Sequence, residues 1–486
     1  MPGLPAGTYT LLPSSYALLP GAYRVEINGA ATGFAPVSTI AMRNGSYSVA
    51  GQLRTAHTGF ANSLASQLIL TSADVLRTYS QYNETSYSDF VLLDAARRGV
   101  PRAILPRDGK QLILRFSAGE RGLPLSFDGM ADFSAAQGGH GGVVSLTSSL
   151  GGAAGASFEI LAANAAPTDG FGGLSFYADD LNAFGAARLT IGGLINVATY
   201  SGSSRNEANY LDMAVTASNI VLREGAVLRA PEVFLMSNDA NGNIIIESGA
   251  GINTLGMGDV AYDSSLGYIY RPGAASMLAA SNGWLDVLSP DVDAQSAGAG
   301  SILIGSGGGA GDDPAELYSD GTLVAVTNKS FELGDAVRYG TRNLVLAVGA
   351  VNAGSNEDLA AAAVRGALTS GLTLNQTVLD RLLQGDTTYG APALERLVLT
   401  AGESFNFFGD VSLNTIDAVT GKSTLANLVL STPAIYGNGD AGDVATIITG
   451  KFTWGGTDGK APASITGGRG TGEGGLVVNA EVIEFG

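Results

Sequence analysis

Only two side chains of this chain, His57 and His140, ordinarily titrate near neutrality, and neither stands in a catalytic pattern. His140 lies in Gly138-Gly139-His140-Gly141-Gly142, a context that reads as a turn and not as an aligned general base. Two histidines are too few for a multi-histidine metal site, and the absence of cysteine removes thiolate zinc sites and disulfides. Neither a Gly-x-Ser-x-Gly elbow nor a His-Glu-x-x-His pair occurs. Gly421-Lys422-Ser423 looks like the end of a phosphate loop, but Ile416 occupies the position of the required earlier glycine. Gly437-Asn438-Gly439-Asp440-Ala441-Gly442 matches a dinucleotide fingerprint in letters only, because a β-like run follows it where a helix is needed. Gly311-Asp312-Asp313 and Gly439 to Asp443 are isolated acidic glycine turns, without the tandem nonapeptides of a calcium roll. The acid pairs Asp179-Asp180 and Asp291 with Asp293 could serve a sugar-cleaving groove, which requires carboxylates about 5–10 Å apart. The residues thus predict no catalytic, cofactor-binding or metal-binding site. A carbohydrate-active enzyme stands as the alternative.

The elements that would position such groups are written as a repeat. Ile220-Val221-Leu222 is followed by Val227, Leu344-Val345-Leu346 by Val351, Leu428-Val429-Leu430 by Ile435, and Leu476-Val477-Val478 by Ile483. Leu397-Val398-Leu399 is a fifth copy, its anchor Phe405 one residue later. Paired short β-rich runs predict a stack whose coils bury their apolar side against their neighbours. Further runs, at Gln111 to Leu114, Val143 to Leu146, Phe158 to Leu161, Leu174 to Tyr177 and Leu189 to Ile191, are bounded by turn residues as strands should be. Ile220 to Ile244 spans 24 residues and Leu428 to Leu476 spans 48, which suggests coils of roughly 20–25 residues. About fifteen such coils would extend on the order of 70 Å.

Bulk composition agrees. Hydrophobic residues make up 45% and charged residues only 14%, a balance that suits a β-rich surface and excludes disorder. The net charge of −18 argues against nucleic acid and against anionic lipid as partners. No run approaches the ~20 apolar residues of a membrane span, and the N-terminus lacks a signal-type core. Together with the strand-like final residues Val482 to Gly486, this predicts a piece of a longer protein.

Along the chain, residues 1–30 carry a Leu-Pro/Tyr repeat with Tyr9, Tyr16 and Tyr23 seven apart, expected to pack aromatics at the start of the solenoid. Residues 31–108 form an extra-helical excursion, with a strand at Leu68-Ile69-Leu70 and a helix from Asp89 to Arg98 closed by Gly99. Residues 109–355 are β-helix, with Gly305 to Gly311 a corner loop or insertion. Residues 356–385 read as a helical hairpin insertion. Asn356 caps its first helix, Gly366 and Gly371 form the hinge, and Val378, Leu379, Leu382 and Leu383 lie on one face of the second helix before Gly385. The hairpin is expected to decorate the stack, so that its deletion leaves the rest folded. Residues 386–486 resume the β-helix.

Three unusual stretches carry a resemblance: Leu4 to Val25, Arg77-Thr78-Tyr79-Ser80-Gln81-Tyr82-Asn83-Glu84-Thr85-Ser86-Tyr87, and Leu379 to Leu383 with Leu394 to Val411. They resemble the filamentous haemagglutinin family of large bacterial exoproteins, in its interior or C-terminal portion. The resemblance implies an all-β fold, a right-handed parallel β-helix (β-solenoid) with a small helical insertion and an irregular N-terminal excursion. It further implies two-partner secretion through an outer-membrane partner transporter, localisation as a secreted or outer-membrane surface protein, and adhesion to a host-cell or matrix glycan or protein receptor. It brings no catalytic residues, no metal and no cofactor. Some relatives carry a C-terminal toxin, which leaves a passive stalk as a further alternative.

Overall fold

The computed structural model describes residues 3–30, 39–79, 85–98, 102–116, 124–149, 156–197, 210–238, 241–262, 269–271, 275–288, 300–305, 313–456 and 472–486. The protein is mainly β, 44% strand and 11% helix, and divides into two compact units, Met1–Ala96 and Arg97–Gly486.

In the first unit four antiparallel strands stand side by side in the order Tyr23–Ala30, Ser66–Ser72, Tyr47–Gly51, Ile40–Ala41. Helix α1, Ala73–Arg77, follows at once because the Ser72 hydroxyl caps it, accepting from Val75 N–H at 3.4 Å. The three spaced tyrosines are not equivalent here. Tyr9 donates its hydroxyl to the Pro5 carbonyl at 2.6 Å, Tyr16 ends a 3₁₀ turn, and Tyr23 opens a strand opposite Ser72. Helix α2 runs Tyr87–Arg98, two residues longer at its start than its apolar run suggested, because Ser86 accepts from Asp89 N–H at 3.1 Å. Gly99, its expected stop, lies outside the described residues.

The second unit holds a twenty-stranded sheet, mixed and mostly parallel. Its main ladder aligns Leu112, Val144, Leu189, Val233, Ala280, Leu323, Leu344, Leu397, Leu428, Phe452 and Ile483 as successive strand neighbours. Two residues further along each strand a second apolar row stays in register, through Ile191, Leu346, Leu399 and Leu430 to Trp454 and Phe485. The row ends with Trp454 and Phe485 in tilted ring contact, centroids 6.2 Å apart. In-register β-branched and aliphatic rows fix strand register, since a one-residue slip would turn every core side chain outward. A second ladder joins Phe158, Ile220, Ile244, Ile302 and Phe331.

The recurring phrase therefore has more than one structural meaning. Leu344, Leu397 and Leu428 are stacked neighbours, and so are their second anchors Val351, Phe405 and Ile435. Ile220 instead belongs to the second ladder, where it pairs with Ile244 24 residues on, as expected from the sequence spacing. Leu476 departs from expectation: it pairs with Ala445, while Leu428 pairs with Phe452. The 48-residue interval between Leu428 and Leu476 is not two equal coils, because Ile483 and not Leu476 continues the Leu428 row.

The helical segment also differs from expectation. Helix α4, Asn356–Val364, is capped by Ser355, whose hydroxyl accepts from Asp358 N–H at 3.0 Å, so Asn356 is its first residue and not its cap. (Helix α3 is Ala178–Ala183.) Helix α5, Gln376–Gln384, is capped by Asn375 and stopped by Gly385 at φ +67°, as its sequence indicates. Between α4 and α5 lies a strand, Leu372–Asn375, that pairs with Val351–Gly354 of the main sheet. Leu372, Leu374, Val378, Leu379, Leu382 and Leu383 are all buried in the principal core, so this part is built into the sheet and is no removable decoration. Only α4 packs in a satellite cluster, Leu359 and Ala362 against Phe408.

Candidate functional site

The strands of the main ladder open on a polar row, in which Arg188, Glu232, Ser281, Thr322, Asn343, Arg396 and Asn427 are successive neighbours. At Glu232 the direction of pairing changes. Strand Glu232–Ser237 is parallel to Arg188–Ile191 on one side and antiparallel to Ser276–Ser281 on the other. The Glu232 side chain, fully buried, ties both: one oxygen accepts from Arg188 Nε and the other from the Ser281 hydroxyl at 3.0 Å. Arg188 extends a second arm to the Tyr270 hydroxyl at 3.1 Å, and its guanidinium lies 5.4 Å from the ring centres of both Phe234 and Tyr262.

A second apolar cluster closes this face, built from Phe234, Met236, Met277, Val324 and Val345 of the sheet with Leu211, Val260, Tyr262, Tyr270 and Leu285 over them. Gly192 makes the turn from the main ladder into the covering strands at φ +97°, where a side chain would run into the Met236 carbonyl. Burial works against the Arg188 charge, yet the Glu232 carboxylate holds the Arg188 pKa above its ordinary value. Burial pushes the Glu232 carboxyl up, opposed by Arg188 and by Ser281. Burial likewise raises the Tyr262 hydroxyl. Every polar atom of the pair faces a protein partner inside a closed apolar cover. The arrangement can hold strand register and direction; it offers no open face to a substrate.

A second charged group joins strands of the second ladder. Arg223 donates from Nε to Glu159 at 3.0 Å and from a terminal nitrogen to Glu247 at 2.7 Å, with Phe171 stacked 5.5 Å from its guanidinium. Glu159 also accepts from the Ser175 hydroxyl at 2.6 Å and from Thr168 N–H at 3.1 Å, and Glu247 accepts from Glu224 N–H at 3.1 Å. Two carboxylates flanking an arginine are the makings of a sugar-cleaving site. Here, however, all four carboxylate oxygens are already engaged by donors of the chain.

The residues singled out in the sequence stand elsewhere. Asp179 and Asp180 occupy the first turn of α3, and Asp180 accepts from Phe127 N–H at 3.0 Å, which ties down a loop. Asp291, Asp293 and Asp312 lie outside the described residues, as does most of Gly305 to Gly311. His140 donates its backbone N–H to Asp108 at 3.0 Å, and His57 sits in a turn at φ +61°. Gly421 and Lys422 belong to a turn closed by the Ile416–Ser423 bridge, and Asp443 accepts from Asp440 N–H at 2.7 Å. A strand, Val444–Gly455, follows the glycine run at 437–442, where a nucleotide fold would need a helix. Among the described residues no group of three or more His, Cys, Asp or Glu is placed to hold a metal, and no helix is long and apolar enough to cross a membrane.

Arg188, Glu232, Glu159 and Arg223 were not foreseen. The available signal was a charge inside an otherwise apolar β run, as in Phe158-Glu159-Ile160-Leu161 and Glu232-Val233-Phe234-Leu235, in a chain only 14% charged. Comparison with known proteins places no relative beside these features: no family model, no curated protein and no solved structure matches the chain.

Proposed function

We propose that the chain is the structural shaft of a large bacterial adhesin of the filamentous haemagglutinin type, secreted or displayed on the outer-membrane surface, without catalysis of its own. On this reading the second unit is a right-handed parallel β-helix, and the chain reaches the surface through an outer-membrane partner transporter. The observation that supports it most is the pair of in-register apolar rows, eleven strands deep, which run from Leu112 to Ile483 and from Leu114 to Phe485. At the spacing of hydrogen-bonded strands such a stack extends roughly 50 Å. Function in such a fold resides in length and in the surface it presents. The sequence resemblance supplies the adhesin part of the reading, with a glycan or matrix protein as receptor.

One observation favours a second reading, a carbohydrate-active β-helix enzyme: the Glu159–Arg223–Glu247 group. Its saturated carboxylates weigh against it, since a general acid must be able to reach a glycosidic oxygen. Incubating the purified chain with an array of glycans and matrix proteins, while assaying release of reducing or unsaturated sugar, separates the two. Binding without sugar release is expected. Turnover abolished by Glu159→Gln would replace the adhesin with the enzyme, and neither binding nor turnover would remove adhesion from this segment.

A further inference from the structure

The last strand of the main ladder, Gly475–Phe485, is long and has one partner among the described residues, Val444–Gly455. Its other edge therefore presents unpaired backbone groups. The devices that usually blunt such an edge are missing: the strand contains no proline and no lysine, and its charges are Glu481 and Glu484 alone. Its core-side residues are correspondingly bare. Leu476, Ile483 and Phe485 are exposed, Phe485 by 76%, although their strand neighbours Ala445 and Phe452 are buried and Trp454 is half-buried.

We propose that this edge pairs with the same edge of a second copy, antiparallel about a two-fold axis between Ala480 and Glu481. The strand is self-complementary in that register. Leu476 then faces Phe485 of the second copy and Val478 faces Ile483, each pair joining core-side residues to core-side residues. Val477 faces Glu484, Asn479 faces Val482, and Ala480 faces Glu481, so no like charges stand directly opposite. The two-fold relation also exchanges the two arms of the strand, the one continuing the Phe452 and Trp454 rows and the one stacked on Ala445 and Ile447. A closed dimer results, in which each copy extends the other's apolar rows by one strand. Head-to-tail addition onto the first strand of the ladder, Gln111–Phe116, fits less well, because six residues cannot cover eleven. The net charge of −18 opposes any association, so the dimer should tighten as salt is raised. This inference rests on strand register alone and stands or falls independently of the adhesin reading.

Val477 provides the test, because it is 51% exposed and its replacement leaves the core of one copy intact. Sedimentation equilibrium of the whole chain should show a monomer–dimer equilibrium. Val477→Lys places an ammonium opposite Glu484 twice per dimer and should lower the dissociation constant about five- to tenfold. Val477→Glu should raise it by a similar factor. Circular dichroism of all three proteins should coincide. A chain that stays monomeric at every concentration would assign the edge to a different strand and overturn the proposal. Open-ended assembly, or a dimer indifferent to both substitutions, would overturn it equally.

Discussion

One sheet is held in register by two different means. Around Glu232 the strands meet at a change of direction, and register there depends on a buried ion pair with a serine and an aromatic cover. From Asn343 to Gly455 the neighbouring strands are parallel throughout, and Leu344, Leu397, Leu428 and Phe452 align by apolar packing. Where all neighbours run the same way, a repeated phrase matches itself at every step, and hydrophobic burial suffices to select the register. Strand Ser276–Ser281 runs the other way and breaks that match. A directional contact is then needed, and a charged pair provides one because a slip would leave each charge buried without its partner.

The sharpest way to break this contrast is Arg188→Ala. Leaving Glu232 buried and unpaired should cost about 3–5 kcal/mol in urea unfolding of the second unit. Replacing both partners with apolar residues, Arg188→Met with Glu232→Leu, should restore most of that stability. If the pair sets strand direction, the double variant should still show weakened hydrogen-exchange protection at Ser276–Ser281. In the apolar region Leu397→Ala should cost about 2–5 kcal/mol, whereas Leu397→Met should cost less than about 1.5 kcal/mol because volume is kept. A polar contact of ordinary strength marks the lower end: Asn375→Ala, which removes the cap of α5, should cost about 1 kcal/mol.

Acid should separate the regions with the smallest perturbation. Asp108 accepts from both terminal nitrogens of Arg102, at 2.6 and 2.7 Å, and from the N–H groups of Leu105 and His140. Burial pushes its carboxyl up, but the Arg102 guanidinium and the two backbone donors outweigh burial and hold it well below the usual carboxylate range. A depressed native pKa means stability that is complete above the ordinary carboxylate value and is lost progressively as pH falls below it. Exchange at the Leu105 and His140 amides should therefore rise selectively below about pH 4, with Leu397 to Leu430 unaffected. Asp108→Asn should remove the pH dependence.

What could be read from residues alone follows the same division. The Leu-Val-Leu runs, the second anchors at Val351, Phe405 and Ile435, and the caps and stop of α5 depend on neighbours a few positions away, and local pattern reveals them. The placement of Leu476 did not follow from its pattern, because the same phrase fits more than one ladder and only the position of Ile483 beneath Phe452 assigns it. The strand Leu372–Asn375 escaped notice for a related reason: four residues between two helices carry too little periodicity to compete with a hinge made of glycines.

The sequence by itself determined the class of structure: a β-rich chain of short apolar runs, repeated and stackable, with few charges, no cysteine and a helical interruption near residue 356. Those are properties of composition and short-range pattern. Tertiary structure decided which rows run through which faces, where strand direction changes, and that Arg188 and Glu232, Glu159 and Arg223 meet. Pairing between residues such as Arg188 and Glu232 depends on the lengths and paths of every intervening segment, and no local pattern encodes it.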